Sequence, residues 1–293
     1  MTERIVGAHA CACGQYGANP YVPMSMAVLR VRDEVETRTI KTFDLGFADQ
    51  ADAEQFSYMP GQFCEVSVFG AGESPFGIAS SPTEEGFVRF TVSKAGVVTH
   101  KLHALKPGDV IGMRGPLGNY YPVERMRGKD VVIIGGGFAF TTLRSLIIYM
   151  LEEREAYGKI TVVYGARTPG LLMYRDELDA WDERDDIDMV QTIDAPAEGW
   201  TKMVGFVPTA VQEAAPDSSN AIAVICGPPV MIRFTLPVMT ELGFQKEQIY
   251  TSLENRMQCG IGKCGRCNVG HKYVCLDGPV FSLAELDQLP PEY

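Results

Sequence analysis

Between Met24 and Tyr121 apolar and polar residues take turns along the chain. The stretches AVLRVRDEV (27–35), GQFCEVSVFG (61–70) and GFVRFTVSK (86–94) set apolar side chains at alternate positions, and TRTIKTFDLGF (37–47) continues the strand-like character. A period of two marks a strand with one face in a core. Turn signals divide the stretches: Pro60-Gly61, Gly70-Ala71-Gly72, Glu85-Gly86 and Lys106-Pro107-Gly108-Asp109. Short strands at this spacing, with a helix only around Thr99–Leu105, predict an antiparallel barrel or sandwich over about residues 24–122.

At Lys129 the pattern changes. DVVIIGGG (130–137) is a continuous apolar run, as expected of a strand buried on both faces of a parallel sheet. A helix over about Thr141–Tyr157 follows, then the strand KITVVYGAR, an acidic helix from Tyr174 to Arg184, the strand IDMVQTID, a helix near Pro208–Ala215 and the strand AIAVICGPP. Strand and helix alternate from 130 to 250, which predicts an α/β fold on a parallel sheet. Residues 1–20 are rich in Gly and Ala and read as an arm on a partner or on the body, and 214–220 reads as a surface loop.

A length of 293 residues fits two domains and a small appendage. Hydrophobic and charged fractions of 46% and 22% exclude a disordered chain. The net charge of −11 argues against a nucleic-acid partner. The longest apolar runs, Val131–Phe140 and Leu146–Leu151, fall short of the roughly 18 residues of a membrane span. The opening MTERIVGAHACACG lacks the apolar stretch of a secretory signal, so a cytoplasmic protein is expected.

Eight cysteines in such a chain call for a role other than disulfides. Cys64 reads as a core thiol, Cys226 is isolated in an apolar strand, and Cys11 and Cys13 sit in the N-terminal arm. The other four are Cys259, Cys264, Cys267 and Cys275, spaced C-x4-C-x2-C-x7-C. Four thiolates hold zinc or an iron–sulfur cluster. Zinc usually takes two close pairs, whereas C-x4-C-x2-C with a distant fourth Cys is the plant-type [2Fe–2S] spacing. Gly260, Gly262 and Gly265 leave room for backbone N–H groups to approach sulfur, and Arg256, Lys263, Arg266 and Lys272 face no acid between 256 and 275. Fixed cations stabilise the anionic cluster. The cluster is the favoured reading and zinc the alternative.

Gly135, Gly136 and Gly137 separate a buried strand from a long helix, where phosphate meets unpaired N–H groups. Cys226, Gly227 and Pro228 end another apolar strand. Each is an ordinary turn when taken alone; together, at the carboxyl ends of two strands of one sheet, they outline a nucleotide crevice. In the first half, Gly96-Val97-Val98-Thr99 leads into a short helix, and Pro75–Ser81 is able to lie along a planar ring; both also fit plain strand–turn structure. His100 and His103 read as structural or surface residues.

With these pieces in place the chain resembles the ferredoxin–NADP reductase superfamily from about residue 22 to 283. It is most similar to the branch with a C-terminal [2Fe–2S] loop, which includes sulfhydrogenase gamma subunits, the B subunit of anaerobic sulfite reductase, the electron-transfer subunit of dihydroorotate dehydrogenase, and flavin subunits of bifurcating transhydrogenases and heterodisulfide reductases. The ending SLENRMQCGIGKCGRCNVGHKYVCLDGPVFSL carries the most specific match. The resemblance implies an N-terminal arm (1–22), an antiparallel flavin-binding β-barrel (23–125), a parallel-sheet NAD(P)-binding α/β domain (126–248) and an iron–sulfur segment (249–293). It implies that Pro75, Phe76, Ile78, Ala79 and Ser80 lie beside the FAD ring, that Gly96, Val98 and Thr99 meet its pyrophosphate, and that Gly115 and Gly118 belong to the loop closing the barrel beside it. Gly135, Gly136 and Gly137 then hold the pyridine nucleotide, and Cys226, Gly227 and Pro228 lie near the nicotinamide. Two departures stand out. Ser74-Pro75-Phe76-Gly77 replaces the family's Arg-x-aromatic-Ser, and Ala139 and Thr142 stand where the nucleotide loop usually has Gly and Pro, where the Ala139 methyl is positioned to crowd a pyrophosphate.

The reading that follows is an electron-transfer flavoprotein subunit using NAD(H) or NADP(H), FAD and a [2Fe–2S] cluster near −400 mV. Its partner is an iron–sulfur or catalytic redox subunit of a hydrogenase, heterodisulfide reductase or similar complex. A flavin bridges two-electron and one-electron carriers, so no general base is expected. A stand-alone NAD(P)H:ferredoxin-type reductase and a non-catalytic flavin or metal scaffold that no longer binds NAD(P)H are the alternatives.

Overall fold

The computed structural model describes residues 19–290, so Cys11, Cys13 and most of the expected arm lie outside the described residues. Six strands form the first sheet: β1 (Met24–Asp33), β2 (Ile40–Phe47), β3 (Phe63–Val68), β4 (Gly72–Gly77), β5 (Val88–Ser93) and β6 (Val110–Leu117). All neighbours are antiparallel in the order β4-β3-β6-β1-β2-β5. Alternate residues point into one core built on Met26, Val28, Phe43, Leu45, Val66, Phe90 and Met113. The two edges meet beyond β4, where Ala79 N–H donates to the Arg89 carbonyl at 2.8 Å, so the sheet curls into a barrel rather than a sandwich. Helix α2 (Val97–His103) lies near the expected position. Two short helices, α1 (Gln50–Gln55) and α3 (Val123–Met126), are additions, too brief to give a periodic signal.

The second sheet contains β7 (Asp130–Gly136), β8 (Ile160–Ala166), β9 (Asp188–Ile193), β10 (Met203–Val204), β11 (Ala221–Cys226) and β12 (Ile249–Ser252), all parallel. Its helices are α4 (Phe140–Glu152), α5 (Arg175–Asp182), α6 (Val207–Ala214) and α7 (Pro229–Glu241). In α4, Leu143, Leu146, Ile147 and Met150 recur at helical spacing and bury one face. The sequence reading names no helix at α7, which opens within a Gly-Pro-Pro turn and has Pro237 in its interior. The C-terminal segment adds a two-stranded ribbon, β13 (Asn268–Val269) with β14 (Lys272–Tyr273), then α8 (Val274–Asp277), β15 (Val280–Ser282) and α9 (Leu283–Leu286). Strand β15 pairs antiparallel with β12, so the second sheet runs β10-β9-β8-β7-β11-β12-β15. The order reverses between β7 and β11, and a crevice opens at such a point beyond the carboxyl ends of the strands.

The barrel and the second sheet are joined by buried polar groups. Arg144 of α4 is 1% exposed and spends all five of its N–H groups: on the Ala79 carbonyl, on both Glu84 oxygens and on both Glu177 oxygens, at 2.6–2.9 Å. Desolvation opposes its charge, but the two carboxylates outweigh it and hold the guanidinium firmly protonated. Beside it Ser145 Oγ donates to the Ser80 carbonyl, and the Tyr174 and Thr91 hydroxyls share a 2.6 Å hydrogen bond. Arg144→Ala strips Glu84 and Glu177 of their hydrogen-bonded cation and leaves them only the longer contacts to Arg89, at 3.8 and 3.6 Å. The expected loss of about 3 kcal/mol in unfolding free energy is read by urea denaturation.

Candidate functional site

Gly135 and Cys226 sit opposite each other in the β7–β11 pairing, so their loops leave the sheet side by side. They open on a cavity of about 640 Å³ whose lining includes Gly136, Gly137, Pro228, Arg167, Asp194 and Phe234. Gly137 takes φ of 54°, and a Cβ built there would meet nothing within 4 Å, so this loop leaves an open cradle before α4. Gly136 and Gly227 are tight for another reason: a side chain on either would overlap Met231. Ala139 packs against the domain core and is not among the residues that line the cavity. The carboxylate of Asp194 escaped sequence reasoning. It follows β9, and only the parallel sheet brings the ends of β8 and β9 together, with Arg167 and Asp194 in one wall.

On the barrel, Pro75 and Phe76 are half-buried at the end of β4, an apolar strip open to a planar ring. Ile78, Ala79 and Ser80 are buried. Ile78 belongs to the barrel core, the Ala79 carbonyl serves Arg144, and Ser80 Oγ accepts from the Tyr58 hydroxyl and the Arg89 N–H. At the start of α2, Gly96 is exposed, Val98 leans on the barrel core, and Thr99 Oγ1 accepts from the Ala95 and Gly96 N–H groups. Gly115 lies tight against the Cys64 thiol, and Gly118, at φ of 73°, lets the C-terminal segment pass: a Cβ there would stand 2.6 Å from the Gly278 carbonyl. Asn119 clasps the same segment, donating to the Asp277 and Val280 carbonyls and accepting from the Val280 N–H.

The four clustered cysteines share one loop as two neighbouring pairs, and among the described residues no group of three or more Cys, His, Asp or Glu is drawn together closely enough to hold a metal ion. Cys267 and Cys275 are 1% exposed, Cys259 is buried and Cys264 reaches the surface. Their free thiols neighbour one another in pairs, Cys259 with Cys264 and Cys267 with Cys275. Gly260, Gly262 and Gly265 take φ of 72°, 69° and 71°, left-handed turns that aim N–H groups inward. Gly262 donates to Cys275 Sγ at 3.2 Å, and Lys263 and Cys264 donate to Cys259 Sγ at 3.3 and 3.4 Å. Burial pushes the Cys259 thiol up, but backbone N–H groups outweigh it and bring it down to about 7. Desolvation and the neighbouring Cys267 push Cys275 up to about 12. Such a donor set, N–H-bonded sulfur in two pairs, fits an iron–sulfur centre.

One strand separates this loop from Pro75. Glu65 of β3 lies opposite Pro75 in β4 and Arg114 in β6, and across an antiparallel pair such residues share a face. Arg114 donates to the Cys259 carbonyl at 3.2 Å, and a Cβ on Gly260 would stand 3.3 Å from Glu65 Cγ. Neighbouring strands are about 4.8 Å apart, so β4 and the cysteine loop are near neighbours. Glu65 has no exposure, and neither carboxyl oxygen has a hydrogen-bond partner. Desolvation first, then the nearby Glu73, pushes its carboxyl up to about 8, against the pull of Arg114. Nothing in its alternating strand marks it as different from the exposed acids.

Comparison with known proteins agrees with this geometry. Residues 29–121 match the oxidoreductase FAD-binding domain, 133–236 the oxidoreductase NAD-binding domain, and 254–287 the iron–sulfur cluster binding domain of dihydroorotate dehydrogenase B. The chain is 38% identical to the sulfhydrogenase 1 subunit gamma of Pyrococcus furiosus, covering 93% of this chain and 94% of that protein. It is 31% identical to the probable dihydroorotate dehydrogenase B (NAD(+)) electron transfer subunit of Methanocaldococcus jannaschii, covering 87% and 88%. Among solved structures, a chain from the NADH-dependent reduced ferredoxin–NADP oxidoreductase, studied for flavin-based electron bifurcation, is 27% identical with a TM-score of 0.72 over 90% of this chain and 89% of that one.

Glu65 gives the site a pH signature. The folded carboxyl binds its proton more tightly than the unfolded one, so its stability contribution is full below the unfolded value and is lost as pH rises through about 8. Thermal unfolding from about pH 5 to about pH 9 is expected to show a fall of roughly 2–4 kcal/mol that Glu65→Gln flattens.

Proposed function

The chain belongs to the ferredoxin–NADP reductase superfamily, in the branch with a C-terminal iron–sulfur segment, and from that premise we propose that it is the electron-transfer subunit of a larger cytoplasmic redox complex. It moves electrons between a nicotinamide nucleotide, FAD and a [2Fe–2S] cluster, and on to or from an iron–sulfur or catalytic partner subunit. One observation carries the reading: the nucleotide crevice, the flavin strand and the cysteine loop are consecutive neighbours. No helix among the described residues is long and apolar enough to cross a membrane.

Each residue set has its own task. Gly136 and Gly137 hold backbone N–H groups toward a pyrophosphate with Pro228 in the facing wall, while Gly135, Cys226 and Gly227 lie behind the lining and set the two loops. Pro75 and Phe76 seat the flavin ring, the buried Ile78, Ala79 and Ser80 fix the strand behind it, and Gly96, Val98 and Thr99 hold the turn at its phosphate end. Gly115 and Gly118 bring the barrel's last loop under the cluster segment. Cys259, Cys264, Cys267 and Cys275 would hold the iron–sulfur cluster. Bound FAD supplies the exchange between two-electron and one-electron carriers.

The preferred nucleotide is NADH. A carboxylate in the adenosine-side wall accepts hydrogen bonds from a ribose and repels a 2′-phosphate, and Asp194 stands in that wall beside Arg167. Asp194→Ser is expected to move the NADPH-to-NADH ratio of kcat/KM toward NADPH about tenfold, equivalent to about 1.4 kcal/mol. The reading as a whole is tested by an anaerobic absorbance spectrum with iron, sulfide and zinc analysis. Flavin bands, about two irons per chain and bleaching by NADH are expected. Zinc without iron, or flavin untouched by either nucleotide, overturns it.

A further inference from the structure

Helix α4 leaves the glycine loop and runs along the flavin strand, and its residues meet that strand in matching order. A Cβ built on Gly77 would overlap the Thr142 methyl. Two residues further on, Arg144 Nη1 donates to the Ala79 carbonyl at 2.7 Å, and Ser145 Oγ donates to the Ser80 carbonyl at 2.7 Å. The strand and helix are thus stitched at 77–142, 79–144 and 80–145.

Thr142 is unlike the other two stitches because it faces three ways. Its methyl occupies the space that Gly77 leaves. Its hydroxyl donates to the Ala139 carbonyl at 3.2 Å, inside the nucleotide loop. The same hydroxyl lies beside Tyr121 and Cys226, which are themselves in contact, Tyr121 Oη to Cys226 Sγ at 3.4 Å. Cys226 closes β11, opposite Gly135 where the nucleotide loop leaves β7. Both buried partners lack other freedom: Tyr121 has no exposure and its N–H is held by the Pro60 carbonyl, and Cys226 is 2% exposed. One side chain therefore connects the flavin strand, the nucleotide loop and the Tyr121–Cys226 contact. The two sequence departures, Gly77 and Thr142, are also a touching pair: a side chain is missing on one side where a methyl fills the gap from the other.

We infer that Thr142 is a positioning residue for electron transfer between nucleotide and flavin. Its methyl sets the spacing between the flavin strand and the crevice, and its hydroxyl fixes the loop at the Ala139 carbonyl beside the Tyr121–Cys226 contact. The inference rests on the reading of the crevice as a nicotinamide site and of the strand as a flavin site. Filling Gly77 overpacks the seam, and removing the opposing methyl relieves it.

The test uses the full chain loaded with FAD and four variants: Gly77→Ala, Thr142→Ser, Thr142→Val and the double Gly77→Ala/Thr142→Ser. The readouts are the FAD dissociation constant, the shift of the flavin spectrum on adding NAD+, and steady-state kcat and KM for NADH. Gly77→Ala is expected to weaken FAD binding at least tenfold, and the double variant to recover it to within threefold of wild type. Thr142→Val keeps the methyl, so it is expected to retain FAD like wild type while lowering kcat several-fold at unchanged KM and altering the spectral shift. Thr142→Ser alone shows whether the helix tolerates the change, by its melting temperature. A double variant no better than Gly77→Ala, or a Thr142→Val identical to wild type in kcat and spectrum, overturns the inference. Failure of the underlying reading looks different: wild type itself then shows no spectral shift with NAD+ and no bleaching with NADH.

Discussion

Arg144 is the interaction on which the arrangement depends. Removing a guanidinium from water costs several kcal/mol, and the cost is offset only when every donor finds an acceptor in good geometry. Here all five do, and the acceptors come from both sides of the molecule: Ala79 and Glu84 from the barrel, Glu177 from α5 of the second domain. Arg89, paired with Asp44 at 2.6 Å, extends the set into the barrel wall. The fork of a guanidinium tolerates little rotation before a donor is lost. The domains therefore meet in one preferred orientation, and the crevice and β4 keep a fixed separation.

That rigidity suits the chemistry. Electron carriers need to be held close and kept still, and the protein's contribution is placement rather than proton transfer. The electrostatics around the cysteine loop follow the same logic. Arg256, Lys263 and Arg266 enter no salt bridge among the described residues, so in a chain of net charge −11 their positive charge is available to the loop. Glu65 is the exception, an acid under the loop, and its burial keeps it protonated near neutral pH, where it adds no negative charge.

Much of this was legible in the sequence because the signals were local. The run at 130–137 reads as a buried parallel strand, the alternation of 86–94 as a barrel strand, and the spacing of Cys259, Cys264, Cys267 and Cys275 as a cluster loop. The rest depends on residues brought together from a distance. Asp194 joins Arg167 only because β8 and β9 are parallel neighbours. Arg144 looks like any polar interruption of a helix until Glu84 and Glu177 surround it. Glu65 sits in a pattern that predicts exposure, but the distant segment around Gly260 covers it. Helix α7 was hidden by prolines that mark turns in most contexts.

The pairing of β15 with β12 bears on how such a chain is assembled and inherited. A strand edge left bare invites pairing with other chains, and here the edge of the nucleotide sheet is closed by three residues, Val280–Ser282, from beyond the cysteines. Asn119 ties the same stretch to the barrel. The cluster segment is thus no detachable cassette. A reductase without it must finish its sheet in another way, and a graft of the cysteine loop onto such a reductase has to bring the closing strand and the Asn119 clasp along with its four ligands.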